Sequence, residues 1–226
     1  TNDRRQRQMC IRDSNYFMAQ KDVGNKVPIY KLKTTKEVMN YYDEWGENDK
    51  YNKDMLDWNY TGPKETVETF IKHEANTDGL IFDAGCGTGL VGLELKKFGF
   101  KKFHGADLSQ KLLDNIPSNL YLKLLKLDLN KKIDISDNVY DAVFCVGTFT
   151  FSHVKPKALD EFVRITKKGG LICFTINEGI YKEYGFDKKI NELKNSNFWS
   201  ELEFFKSEYI ASKDVNAWLG LYRINK

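Results

Sequence analysis

The apolar residues of this chain follow two spacings that take turns along it. Short apolar runs of strand length lie at 80–82, 102–107, within 120–129, and at 139–147, 171–176, 202–210 and 217–224. Between them, 90–97, 109–116 and 155–167 carry apolar residues three and four apart, the spacing that turns one face of a helix inward. In 155–167 that face is Leu159, Phe162, Val163 and Ile165, and Gly169-Gly170 is expected to end the helix. The run VYDAVFCVG at 139–147 is β-rich and nearly continuous, as befits a central strand covered on both sides. Strand and helix in alternation give an α/β, doubly wound, mostly parallel sheet. After a further helix at 187–194, the runs 202–210 and 217–224 read as a closing antiparallel hairpin, with Trp199 and Trp218 filling the sheet face.

Ahead of the first strand the pattern is different. Residues 34–70 are rich in aromatics (Tyr41, Tyr42, Trp45, Tyr51, Trp58, Tyr60) and read as a helix, a turn at Gly46, a second helix, and a third with Pro63 in its first turn. Helices placed there must pack on the sheet edge or over the ligand mouth. The aromatic rings serve either as a lid over a bound cation or as packing for the added helices, with packing the reading for Trp58. The chain then divides into a tail at 1–33, disordered or artefactual, and a single domain at 34–226, made of lid helices at 34–75 and a core at 79–226. Within the tail, MCIRD at 9–13 matches the translation of a transposase end used to tag sequencing libraries. Residues 1–14, adapter read-through or a natural basic tail, have no core-forming pattern and are set aside.

Composition narrows the class. At 226 residues, 41% hydrophobic, the chain has enough apolar surface for one α/β domain. Its 35 basic and 32 acidic residues are spread without an arginine-rich block, so the net charge of +3 does not indicate nucleic acid and the lysines read as a solvated face. No apolar run approaches the roughly 20 residues that span a bilayer. With no apolar signal core, the expected location is cytoplasmic, and Cys10, Cys86, Cys145 and Cys173, without C-x-x-C spacing, read as reduced packed thiols. The three histidines are isolated, so no metal site is expected.

The chemistry is concentrated in LIFDAGCGTGL at 80–90. A short strand ends in Asp83 and passes through Gly85, Gly87 and Gly89 into a helix. Glycines there permit positive φ and close approach of a ligand to the main chain, so the loop is a ligand floor. The spacing is G-x-G-x-G rather than the dinucleotide fingerprint G-x-G-x-x-G, and a carboxylate beside the loop repels a pyrophosphate and suits a ligand bearing positive charge. DAGCGTG resembles motif I of the class I S-adenosylmethionine-dependent methyltransferases. The block from Tyr41 to Pro63, with its order of Tyr, Asp, Trp, Tyr, Asp, Met, Tyr and Pro, resembles the methyltransferase-like protein family of the Williams-Beuren syndrome chromosome region. The resemblance implies a seven-stranded Rossmann-like sheet with its last strand inserted antiparallel, preceded by extra N-terminal helices.

Candidate site residues follow from both readings. Asp83, Ala84, Gly85, Cys86, Gly87 and Gly89 form the loop that would hold the methionine end of S-adenosylmethionine. Asp107, ending the second strand, is positioned to accept hydrogen bonds from ribose hydroxyls, with Leu108 following it. The resemblance implies that Asp128 takes the adenine amino group with Leu129 against the ring; a loop-initiating aspartate is the alternative for Asp128. Loops at the carboxyl ends of strands line the ligand crevice, which brings Cys145 and the segment to His153 beside the transferable methyl group. Trp45 and Tyr42 come from the lid. His153 is a candidate general base, or else a helix-entry histidine bonded to backbone, and Tyr42 is a second catalytic candidate. The expected activity is methyl transfer to a small-molecule acceptor. A non-catalytic S-adenosylmethionine-binding subunit and a nicotinamide-dependent oxidoreductase are the alternatives.

Overall fold

The computed structural model describes residues 23–74 and 76–226. Its frame is one sheet of seven strands: β1 (Ile81–Ala84), β2 (Phe103–Asp107), β3 (Lys123–Lys126), β4 (Tyr140–Phe149), β5 (Thr166–Asn177), β6 (Trp199–Ile210) and β7 (Val215–Ile224). They lie in the order β3-β2-β1-β4-β5-β7-β6. Pairs from β3 through β5 are parallel, while β7 runs antiparallel between β5 and β6. Because the order turns back on itself at β1 and β4, the loops after these two strands diverge and leave a crevice at the carboxyl edge.

Side chains alternate across the pleat, so each central strand feeds two cores. Along β4, Ala142, Phe144 and Val146 face a layer with Val67 and Phe70 of α3 (Gly62–Ile71) and Val91 and Leu95 of α4 (Leu90–Lys97). Val143 and Cys145 face the other layer, with Leu159, Phe162 and Val163 of α6 (Ala158–Ile165) and Ile190 and Leu193 of α7 (Phe186–Asn195). On that second face Trp199 stacks on Tyr222 at 4.3 Å between ring centroids, and Trp218, only partly buried, lies parallel to Phe204 at 5.3 Å.

A third cluster seats the N-terminal helices on the hairpin end of the sheet. Val38 and Trp45 of α1 (Thr35–Trp45) and Met55 of α2 (Lys50–Asp57) pack with Tyr209, Ile210 and Val215. The start of α1 is fixed locally by a capping box in which the Thr34 hydroxyl accepts from the Glu37 N–H at 3.2 Å and the Glu37 carboxylate accepts from the Thr34 N–H at 2.9 Å.

The structure corrects three sequence expectations. The tail does not extend to residue 33, because Val23, Val27, Ile29 and Tyr30 are buried in the third cluster; residues 1–22 lie outside the described residues. Gly169-Gly170 does not end a helix but lies within β5, since α6 stops at Ile165 and the Thr166 hydroxyl bonds back to the Phe162 carbonyl at 2.6 Å. The helix expected at 109–116 is the shorter α5 (Gln110–Asp114), capped by Ser109, while β3 falls within the expected 120–129 as a short, exposed edge.

Candidate functional site

The carboxyl ends of β1, β2 and β4 open into one crevice roofed by α1 and α2. Gly85 and Gly87 form part of its floor, Asp107, Leu108, Asp128 and Leu129 line it from the strand ends, and Tyr42, Tyr51, Thr148 and His153 complete it. Two glycines do different work here. Both have positive φ, 79° at Gly85 and 53° at Gly87. A Cβ on Gly85 would collide with the Thr148 hydroxyl, whereas a Cβ on Gly87 would meet nothing within 4 Å. Gly85 therefore serves close packing of the loop on β4, and Gly87 bares main chain to the open crevice.

Asp107 ties the second strand to this floor. Its carboxylate accepts from the Gly87 N–H at 2.9 Å and from the Ser109 N–H at 2.8 Å. Burial raises its pKa, and the N–H groups of Ser109, Gly87 and Leu108 oppose the rise. Asp83 stands behind the loop rather than in the crevice. It is 1% exposed, accepts from the Tyr121 hydroxyl at 2.6 Å through Oδ2, and leaves Oδ1 without a partner. Burial pushes its carboxyl up to about 7; the Tyr121 bond works against that shift and the Asp107 charge adds to it.

On the opposite wall the Tyr42 hydroxyl and His153 Nε2 are 2.9 Å apart. Nδ1 of His153 faces the Phe151 carbonyl, which can only accept, so Nδ1 carries the proton and Nε2 accepts from Tyr42. Burial lowers the imidazole to about 4, which keeps it neutral near pH 7. His153 is thus a ring anchored to backbone through Nδ1, with Nε2 accepting from Tyr42. Asn130 holds the loop in place, accepting from the Lys155 N–H at 2.9 Å and donating to the His153 carbonyl at 3.3 Å.

Of the expected site residues, Gly85, Gly87, Asp107, Leu108, Asp128, Leu129, Tyr42 and His153 line this crevice. Ala84 and Cys145 do not: both are fully buried in the core on the α6 side, where the pleat of β1 and β4 directs them. Cys86 is buried, and its sulfur would stand 2.9 Å from a Cβ on Gly105. Gly89 is the N-cap of α4. Trp45 donates its indole N–H to Asp54 at 2.6 Å and faces a neighbouring cavity. Asp128 accepts from the Asn130 N–H at 3.0 Å, which is the loop-initiating geometry, and lines the crevice as well. Tyr121 and Asn130 carried no sequence signal, because each acts through partners distant in the chain, whereas Thr148 lies within the expected 145–153 segment. Among the described residues no cluster of His, Cys, Asp or Glu could hold a metal ion, and no helix is long and apolar enough to cross a membrane.

The doubly wound sheet with its inserted antiparallel strand, and the bare glycine floor between β1 and α4, define a Rossmann-like methyltransferase domain. Residues 82–174 match the family described as "Methyltransferase domain". Human methyltransferase-like protein 27 is 30% identical over 178 residues, 74% of this chain and 69% of that protein. A malonyl-[acyl-carrier protein] O-methyltransferase from Buchnera aphidicola is 31% identical over 134 residues, 58% of this chain, which spans about half (49%) of that relative. In fold, a candidate S-adenosyl-L-methionine-dependent methyltransferase from Methanococcus maripaludis superposes with a TM-score of 0.55 at 17% identity, over 86% of this chain and 95% of its own. The chain belongs to the class I S-adenosylmethionine-dependent methyltransferases.

Proposed function

We propose that the protein binds S-adenosylmethionine in the crevice and transfers its methyl group to a small-molecule acceptor. The observation that carries this reading is the contrast at the floor: Gly87 presents open main chain to the crevice while the carboxylate that bonds its N–H, Asp107, lines the same space. A ligand can approach the backbone there and offer hydroxyl donors to the carboxylate oxygens, which fits a ribose. Asp128 would take the adenine amino group and Leu129 would cover the ring. The unpaired Oδ1 of Asp83, beneath the loop, favours a cationic ligand above it. The bound cofactor supplies a methyl group on a positively charged sulfur, and the protein's part is to orient the acceptor in line with it and to exclude water.

Tyr42 and His153 supply a route for the acceptor's proton. The neutral imidazole accepts from Tyr42, whose oxygen keeps lone pairs that can accept from a substrate donor. A thermal-shift comparison of S-adenosylhomocysteine with NAD tests the binding assignment: stabilisation by S-adenosylhomocysteine alone is expected, and stabilisation by NAD alone would overturn it. Transfer of labelled methyl from the cofactor to a compound in a metabolite extract separates an enzyme from a non-catalytic binding subunit.

A further inference from the structure

Beneath the N-terminal helices a second cavity adjoins the crevice. Tyr42, Tyr51 and Gly147 line both spaces, so Tyr42 stands at their junction. The inner cavity is walled by Trp45, Trp58, Tyr60 and Tyr209 with aliphatic residues between them, and no charged side chain lines it. Thr150 also lines it, 4% exposed, its hydroxyl facing the Tyr30 hydroxyl without a well-formed hydrogen bond. A buried hydroxyl so placed is unfavourable until a ligand completes its bonding.

We propose that this cavity holds the methyl acceptor and that the acceptor is a neutral monocyclic phenol. The proposal rests on the crevice being the cofactor site. Aromatic walls favour a flat ring, and the absence of a cationic side chain leaves a carboxylate without compensation for its lost hydration. The Tyr42–His153 pair discriminates further. An ammonium must lose its proton before it can attack, which would set an imidazolium beside the donor's sulfonium in a buried site. A phenol keeps its proton until attack. Its oxygen forms the new O–CH3 bond while the S–CH3 bond breaks and the electron pair stays on sulfur. The phenolic proton passes to the Tyr42 oxygen as the Tyr42 proton passes to His153 Nε2. Positive charge leaves the sulfur as it arrives on the imidazole, so the net charge of the site is unchanged. That balance lets a histidine with so low a pKa accept the proton.

The test uses the full chain and three compounds of matched shape: 4-methylphenol, 4-methylbenzylamine and 4-methylbenzoate. With S-adenosylhomocysteine saturating, saturation-transfer NMR is expected to detect 4-methylphenol alone, and methyl-labelled cofactor is expected to label it alone. Thr150→Val removes this poorly bonded hydroxyl without changing the volume, so the variant should melt close to the parent. It should bind S-adenosylhomocysteine unchanged and bind 4-hydroxybenzyl alcohol, which carries a second hydroxyl, roughly twofold to tenfold more weakly. Binding of S-adenosylhomocysteine with no binding or labelling of the phenols, or preferential labelling of the amine, would overturn the acceptor class and leave the cofactor site standing. Failure of S-adenosylhomocysteine to bind would overturn the cofactor reading, and this proposal with it.

Discussion

Tyr42 and His153, 111 positions apart in the chain, meet hydroxyl to ring nitrogen at 2.9 Å where the crevice adjoins the aromatic cavity. One comes from the helical roof and the other from the loop after β4, so docking of the helices on the sheet is what assembles the pair. Tyr42→Phe keeps the ring and removes the hydroxyl. Methyl transfer is expected to fall by about 10²-fold or more, the usual contribution of a positioned acid or base, with the Kd for S-adenosylhomocysteine unchanged. Isothermal calorimetry and single-turnover kinetics read the two quantities separately; loss of cofactor affinity in step with rate would remove Tyr42 from the proton route.

Asp107 is bound to the floor as well as facing the crevice, so its replacement affects both. Asp107→Ala is expected to weaken S-adenosylhomocysteine by roughly tenfold to a hundredfold, about 1.5–3 kcal/mol. It also frees the N–H groups of Gly87 and Ser109, and the melting temperature should drop. Calorimetry beside thermal denaturation checks both, and unchanged affinity would refute the ribose assignment.

The two glycines of the floor predict opposite outcomes. Gly87→Ala has open space around the added carbon but a positive φ, so it should fold with a loss of about 1–2 kcal/mol and fail to bind the cofactor. Gly85→Ala meets Thr148 and should unfold at markedly lower denaturant. Urea titration with cofactor calorimetry distinguishes a lining glycine from a packing one.

Asp83 makes stability depend on pH. Its carboxyl sits near 7 in the folded protein against about 4 when unfolded, so between these values the native state holds a proton that the unfolded chain has released. This contribution is complete below pH 4 and is lost as pH rises through 7. His153 acts oppositely between about 4 and 6.5, where its lowered pKa makes the unfolded chain the better proton acceptor. Asp83→Asn, which removes only the first effect, should flatten the decline in melting temperature between pH 6 and 8; an unchanged slope would show that Asp83 does not titrate there.

Much of the fold was legible because it is local. The β1 run, the glycine turn and the start of α4 follow one another within eleven residues, and the motif needs only that order. Asp107 was legible by the same rule, as the acid closing the strand beside β1. Helix ends were less so: the hydrophobic pattern near Gly169 fits helix or strand, and pairing of β5 with β4 and β7 decided it.

The sequence alone determined the α/β class, the glycine floor, the acid at the end of β2 and the presence of aromatic helices ahead of the sheet, since each is written in contiguous residues and fixed by backbone chemistry. Tertiary structure decided which of those residues share a space. It turned Cys145 and Ala84 into the core because the pleat alternates faces, drew Asp83 behind the loop to Tyr121, left the Trp45 indole to Asp54, and joined Tyr42 to His153. Contacts of that kind depend on how separate elements pack, and no spacing along the chain encodes them.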